Sequence, residues 1–322
     1  MAQLKVLITR KIPEAGREIL KEAGFLIEIY NGDRPLSRKT FLQKIASANA
    51  VIPMLSEQID REVIDKAANL KVIANYAVGY NNIDVDYARS KHIYVTNTPD
   101  VLTEATADLT WALMLSAAKR IPESDQYVRQ GKFKGWEPLL MLGDDVSGKT
   151  LGIIGAGRIG QAVGQRAIGF NMNILYHSPS KKKSFEKKTG AQKSGFEELL
   201  KTSDFISIHC PLTEKTRHLI SSKNIFKIKR GAFLINTSRG AVVEESALVM
   251  ALANGHLAGA GLDVYEFEPE IHPKLFSLQN VVLLPHIGSA TKETRSAMAR
   301  IAANNVKAVL SGNKPLHSVY PV

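Results

Sequence analysis

A chain of 322 residues, 44% apolar and 23% charged, is long enough for two domains and lies far from the composition of disordered proteins. Its net charge of +11 is spread along the whole length and comes without zinc-finger spacing, an aromatic RNA-binding motif or a basic heptad, so an anionic small molecule suits it better than nucleic acid. The single cysteine, Cys210, excludes an internal disulfide framework and a multi-cysteine metal site, and no apolar run approaches the roughly 18 residues of a membrane span, which reads as a cytoplasmic protein with no membrane and no metal.

Met1–Arg10 is too short in apolar length for a signal peptide and reads as the first strand. Short buried strands are predicted at 4–9, 25–30, 50–54, 72–75 and 93–96, alternating with helices that open at Pro13, Ser37, Asp60 and Ile83. Such alternation implies right-handed βαβ units and a parallel sheet covered on both faces. After a break at Thr98-Pro99, one long helix is predicted over 104–120, with Leu109, Leu113 and Ala117 on a single face. The strand rhythm restarts at 150–154, 173–176, 205–209, 232–236, 258–263 and 281–284, so two successive α/β sheets fit the length better than one. A second long helix, 291–310, closes the pattern, and both long helices read as connectors between domains. In the tail 311–322, Pro315 and Pro321 argue against further helix.

The sharpest local signal is Gly155-Ala156-Gly157-Arg158-Ile159-Gly160, a G-x-G-x-x-G between an apolar strand and a helix. The first glycine permits the tight turn, and the second lets backbone approach a pyrophosphate. The third brings the helix close to the strand, with its N-terminal amides aimed at the phosphates. An NAD site would carry Asp or Glu at the end of the next strand, to bond the ribose 2′-hydroxyl. Here that strand runs into Tyr176-His177-Ser178-Pro179-Ser180-Lys181, with no carboxylate before Glu186. Ser178, Ser180 and Lys181 suit a 2′-phosphate instead, so NADP(H) is preferred while NAD(H) stays open.

Three further segments stand at strand ends: Asn236-Thr237-Ser238-Arg239-Gly240, Asp263 through Glu268-Pro269, and Pro285-His286-Ile287-Gly288. They offer a guanidinium, a carboxylate and an imidazole along one rim, with Thr237, Ser238 and Gly288 as neighbouring candidates for cofactor contact. Reduction of a 2-oxo acid by a nicotinamide demands a fixed, polarised carbonyl and a proton for the developing alkoxide. A planar guanidinium answers the first demand and an imidazole the second, and a carboxylate beside the imidazole favours its protonated form. Arg239, His286 and Glu268 fill these roles.

Together with Val78-Gly79-Tyr80-Asn81-Asn82-Ile83-Asp84, Thr103-Glu104-Ala105-Thr106-Ala107-Asp108, Gly148-Lys149-Thr150-Leu151-Gly152 and His209-Cys210-Pro211-Leu212-Thr213, these motifs run in order along nearly the whole chain. The sequence thus resembles the D-2-hydroxyacid dehydrogenases, in particular the glyoxylate/hydroxypyruvate reductase branch. The resemblance implies an α/β fold of two doubly wound parallel-sheet domains. A flavodoxin-like substrate domain would comprise 1–100 and 288–322, split by an inserted Rossmann NAD(P) domain, 101–287. It also implies a homodimer joined largely through the Rossmann domain. Arg239, Glu268 and His286 match the family's catalytic residues, with Arg239 and His286 also touching substrate and cofactor. Val78 and Gly79 match its carboxylate-holding amides, and Leu55 and Ser56 its facing loop. Arg158 and Ile159 match pyrophosphate contacts, Thr106 and Asp263 the nicotinamide side, and Cys210, Pro211 and Thr216 the adenosine wall. Trp136 resembles a residue of this branch that reaches toward the partner subunit's active site. The implied reaction is reduction of glyoxylate or hydroxypyruvate. The alternatives are a larger 2-oxo acid such as 2-ketogluconate, a phosphorylated one, or a dinucleotide-sensing corepressor that binds protein partners. A nucleotide-sugar or methyl-donor enzyme ranks last, because its site also wants the acid missing after Tyr176.

Overall fold

A computed structural model describes residues 3–321, which form two compact units. The first comprises Met1–Leu102 and Ser289–Val322, the second Thr103–Gly288.

The first unit is built on β1 (Lys5–Ile8), β2 (Leu26–Ile29), β3 (Ala50–Ile52), β4 (Val72–Ala74) and β5 (Tyr94–Thr96), all parallel in the order β2-β1-β3-β4-β5. This is the flavodoxin-like order. Residues 6–8, 50–52 and 72–74 are wholly buried, as continuous apolar runs must be when helices cover both faces. Helix starts follow their caps. Ser37 Oγ accepts the Thr40 amide, an Asp60 oxygen that of Val63, and an Asp84 oxygen that of Tyr87. The Asp84 cap delays the fourth helix to Val85–Ser90, two residues beyond the predicted Ile83. Helix Lys292–Leu310, capped by Thr291, packs on helix Glu14–Glu22 so closely that a Cβ on Gly16 would lie 2.7 Å from the Ala299 carbonyl oxygen. In the tail, Ser318 pairs antiparallel with Thr96.

The second unit is built on β6 (Thr150–Ile154), β7 (Asn173–His177), β8 (Gln192–Lys193), β9 (Phe205–Ile208), β10 (Phe233–Asn236), β11 (Gly259–Leu262) and β12 (Val281–Leu283). These are again all parallel, in the order β12-β11-β10-β9-β6-β7-β8, the Rossmann arrangement extended by one strand. β8 has no counterpart in the sequence reading, because both its residues are exposed and carry no apolar pattern. The strand order reverses between β6 and β9, and ligands of such sheets bind at the carboxyl ends flanking that point.

Two expectations are corrected here. The single helix over 104–120 is two helices, Thr103–Ala118 and Ile121–Arg129, separated by Arg120 in a left-handed conformation (φ +54°). The buried face of the first is Thr106, Ala107, Thr110, Trp111, Leu113, Met114 and Ala118; of the predicted stripe, only Leu113 is fully buried. The helix packs against helix Arg158–Ala167 as well as against β10 and β11, so it buries a broad face. Neither long helix bridges the units: 103–118 lies wholly in the second and 292–310 wholly in the first.

Candidate active site

The glycine turn between β6 and helix Arg158–Ala167 has the geometry its sequence implies. Gly155 adopts φ +96°, and a Cβ there would lie 2.6 Å from the Cys210 nitrogen. A Cβ on Gly160 would lie 2.2 Å from the Gly155 carbonyl oxygen, so this glycine sets the close approach of helix to strand. At Gly157, the residue preceding the helix, a Cβ would meet nothing within 4 Å, which leaves open space in front of the helix N-terminus. A tight turn, a bare backbone face and a ten-residue helix pointing its amides outward fit a dinucleotide pyrophosphate. Arg158 is exposed and Ile159 half-buried at the start of that helix.

Around the turn, Ser178 is buried and its Oγ accepts the Ala156 amide at 3.3 Å, bracing the loop against the end of β7. Ser180 and Lys181 are exposed just beyond it. The Lys181 ammonium lies 3.5 Å from Glu186, whose other oxygen takes the Tyr176 hydroxyl at 2.7 Å. Following β9, Thr216 Oγ1 donates to the Pro211 carbonyl at 2.6 Å and accepts the Thr213 amide at 2.8 Å, closing the turn after Cys210. Burial pushes the Cys210 thiol up to about 11, so it stays a neutral wall beside Gly155.

The three strand-end segments meet at one rim. Beyond β10, buried Asn236 folds its own turn: Oδ1 accepts the Ser238 amide and hydroxyl, while Nδ2 donates to the Arg239 carbonyl at 3.0 Å. Arg239 Nη1 donates to the Ser238 carbonyl at 2.7 Å. Burial lowers the guanidinium's affinity for its proton, and the Glu268 charge works the other way. Thr237 is held through its hydroxyl to Thr110, 2.9 Å away, which in turn bonds the Thr106 carbonyl.

Glu268 and His286, eighteen residues apart, are brought to 2.8 Å between Oε2 and Nδ1. Glu268 Oε1 accepts the Tyr265 amide at 3.0 Å. Burial alone would raise the Glu268 carboxyl. The hydrogen bond and charge of His286, the Tyr265 amide and the Arg239 charge outweigh it, and the group sits below the usual carboxylate range. With Nδ1 committed to the carboxylate, the His286 Nε2 is the nitrogen left to face a substrate. His286 itself is left-handed, at φ +57°. Its turn is pinned on both sides: the Tyr265 hydroxyl donates to the Leu284 carbonyl at 2.8 Å, and the Asp263 carboxylate takes the Ile287 and Gly288 amides at 2.7 Å each. Asp263 is buried, which raises its pKa, while those two amides pull it down. A Cβ on Gly288 would fall 3.2 Å from Asp263 and 3.5 Å from Thr106, so these three residues also cluster.

In the first unit, Leu55-Ser56 and Val78-Gly79 follow adjacent strands, β3 and β4. Buried Glu57 accepts the Thr9 hydroxyl at 2.5 Å, the Met54 amide at 2.7 Å and the Ser56 hydroxyl at 2.7 Å. The Val78 and Gly79 carbonyls are tied back by Asn97 and Asn75, each at 2.8 Å. Sequence reasoning assigned no role to Asn75, Glu57, Asn236 or Tyr265. All four brace backbone turns, Glu57 through two hydroxyls as well, and carry no spacing signature. Among the described residues there is no cluster of three or more His, Cys, Asp or Glu arranged for a metal, and no helix is long and apolar enough to cross a membrane.

Comparison with known proteins places the chain in a family. The family model described as D-isomer specific 2-hydroxyacid dehydrogenase, NAD binding domain, matches residues 111–288. A glyoxylate reductase of Thermococcus onnurineus is 51% identical over 97% of this chain and 94% of its own. The crystal structure of a glyoxylate reductase from Paecilomyes thermophila superposes with a TM-score of 0.87 at 35% identity, covering 99% of both chains. That of an NADPH-dependent glyoxylate/hydroxypyruvate reductase from Sinorhizobium meliloti, in complex with NADP and malonate, does so with a TM-score of 0.85 at 32% identity, covering 99% of this chain and 97% of the other. The chain belongs to the D-isomer specific 2-hydroxyacid dehydrogenase family, on the branch that holds the glyoxylate reductases.

Proposed function

We propose that the protein reduces glyoxylate or hydroxypyruvate to the 2-hydroxy acid, with NADPH as the reductant. The observation that carries this reading is the Glu268–His286 hydrogen bond at 2.8 Å, with the Arg239 charge acting on the same carboxylate, at the carboxyl edge of the sheet that also bears the glycine turn. The names of the similar proteins support the choice of oxo acid. The Gly155–Gly160 turn and the helix behind it would hold the dinucleotide, and its nicotinamide supplies the hydride when bound. Arg239 orients and polarises the 2-oxo group. The Val78 and Gly79 amides take the substrate carboxylate, with Leu55 and Ser56 on the facing loop. His286 gives its Nε2 proton to the developing alkoxide, and Glu268 stabilises the imidazolium from which that proton departs. Thr106, Asp263 and Gly288 would lie on the nicotinamide side, and Cys210, Pro211 and Thr216 by the adenosine.

The preference for NADPH is inferred from the absence of an acid at the end of β7 and from the exposed Ser180 and Lys181, which suit a 2′-phosphate. Lys181 would exchange its loose 3.5 Å contact with Glu186 for that phosphate. A homodimer formed through the second unit belongs to the same reading. Phe133, Trp136, Leu139 and Leu142 are each more than half exposed within ten residues, which is more clustered apolar surface than a monomer usually leaves in water.

A panel of 2-oxo acids assayed with NADPH and with NADH tests both parts. Glyoxylate or hydroxypyruvate with NADPH should give the highest kcat/KM. A preference for 2-ketogluconate would overturn the substrate assignment, and a preference for NADH the role of Lys181. His286→Ala and Arg239→Ala should each remove most turnover while NADPH still binds.

A further inference from the structure

A second carboxylate cluster in this unit takes no part in the chemistry above. Glu245, at the start of helix Glu245–Ala253, is 4% exposed. Its Oε1 accepts the Glu266 amide at 2.6 Å and its Oε2 the His272 amide at 3.1 Å. Glu266 returns the contact: Oε2 accepts the Glu245 amide at 2.9 Å, and Oε1 lies 2.5 Å from His218 Nε2. His218 is itself fixed, at φ +51° with its amide on the Ala241 carbonyl at 2.8 Å. Two carboxylates thus bind each other's backbone amides and close a bracket around 266–272, the loop that carries Glu268. The segment after Arg239 rests on the same loop, because a Cβ on Gly240 would lie 1.8 Å from the Tyr265 carbonyl.

Burying two carboxylates side by side is a costly way to gain stability, and apolar residues of similar volume commonly do as well. What such an arrangement gives is placement, since charge-assisted bonds to backbone amides are short and directional. Placement matters here. Glu268 meets His286 at 2.8 Å, and a displacement of about 1 Å takes that contact out of hydrogen-bond range. We propose that Glu245, Glu266 and His218 form a positioning bracket that holds the Glu268 loop at hydrogen-bond distance from His286. Its kinetic consequence rests on the functional reading above; its geometric consequence does not.

Glu245→Gln is the decisive variant. Both partners of the carboxylate are backbone N–H groups that cannot turn into acceptors, so the near-isosteric amide opposes one of them. The readout is the ring 15Nδ1 shift of His286 in the full chain, followed through the non-exchanging Cε1–H and calibrated with Glu268→Gln. In Glu245→Gln the shift should move toward the Glu268→Gln value. With the proposed substrate, kcat should fall about tenfold while KM for NADPH is unchanged. Glu266→Gln should move the signal less, because its amide can rotate to donate to a neutral His218. Neighbouring Glu244→Gln should leave the signal in place. An unmoved His286 shift in Glu245→Gln overturns the bracket, whatever happens to the melting temperature. If that variant fails to fold, His218→Ala, at a partly exposed position, removes the donor to Glu266 and must move the same signal; an unmoved shift there overturns the bracket equally. If the wild-type protein reduces no 2-oxo acid, the functional reading falls while the ring shift still decides this one.

Discussion

Glu268 shows how neighbouring charge and hydrogen bonds outweigh partial desolvation at one side chain. Its carboxyl is held below the usual range, so in the folded protein the charge persists below pH about 4.5. The stability this contributes is present above the unfolded value and is lost as pH falls through the lower folded one. Glu268→Gln should keep the shape and remove the charge, lowering kcat about 10²-fold with NADPH affinity retained, as steady-state kinetics and fluorescence titration would show. His209 poses a different pH problem. It is half-buried beside Ser207, 2.7 Å from that hydroxyl, and desolvation of the ring pushes it down to about 3. Its folded value lies below the unfolded one, so its contribution is complete above about pH 6.5 and fades by about 1.4 kcal/mol per pH unit below that. His209→Gln, which keeps a partner for Ser207, should flatten the dependence of melting temperature on pH between 6.5 and 4. Gly240→Ala should be among the most damaging one-carbon additions, since the Tyr265 backbone must move to admit it. Loss of turnover and a drop of several degrees in melting temperature are expected.

At the scale of elements, what could be read in advance divides along physical lines. Short apolar runs gave eleven of the strands, most of them buried on both faces and so written directly into hydropathy, while β2 and β12 are only partly covered. Caps gave helix starts: Thr291→Ala removes the Oγ1 contact to the Thr294 amide and should cost about 1 kcal/mol, readable by denaturant unfolding. β8 and the separate helix Ile121–Arg129 were not legible. The first is too short and exposed, and the second continues a helical pattern across a left-handed Arg120 that no residue type announces. The candidate site divides in the same way. Gly155, Arg239, Glu268 and His286 stood out because each lies in a segment that follows a strand. Thr106, Cys210 and Thr216 were reached through resemblance alone. The carboxylate bonds of Asp263, Glu245 and Glu266 to main-chain amides follow no residue spacing, so only coordinates reveal them.

For the whole molecule, the proposed homodimer makes a direct prediction. Trp136 is 84% exposed and Leu139 79%, so Trp136→Glu with Leu139→Glu should shift sedimentation toward the monomer without unfolding either unit. A second feature of this scale is the path of the polypeptide. It leaves the first unit after Leu102 and returns at Ser289. Helix Lys292–Leu310, which packs on helix Glu14–Glu22 and on β3, β4 and β5, is therefore the last large piece of that unit to be made. During translation the opening hundred residues emerge with a greasy flank uncovered, while the contiguous middle stretch has everything it needs to close early. The contiguous unit is therefore expected to close first, while the unit begun earlier keeps that flank open until residues 292–310 have emerged.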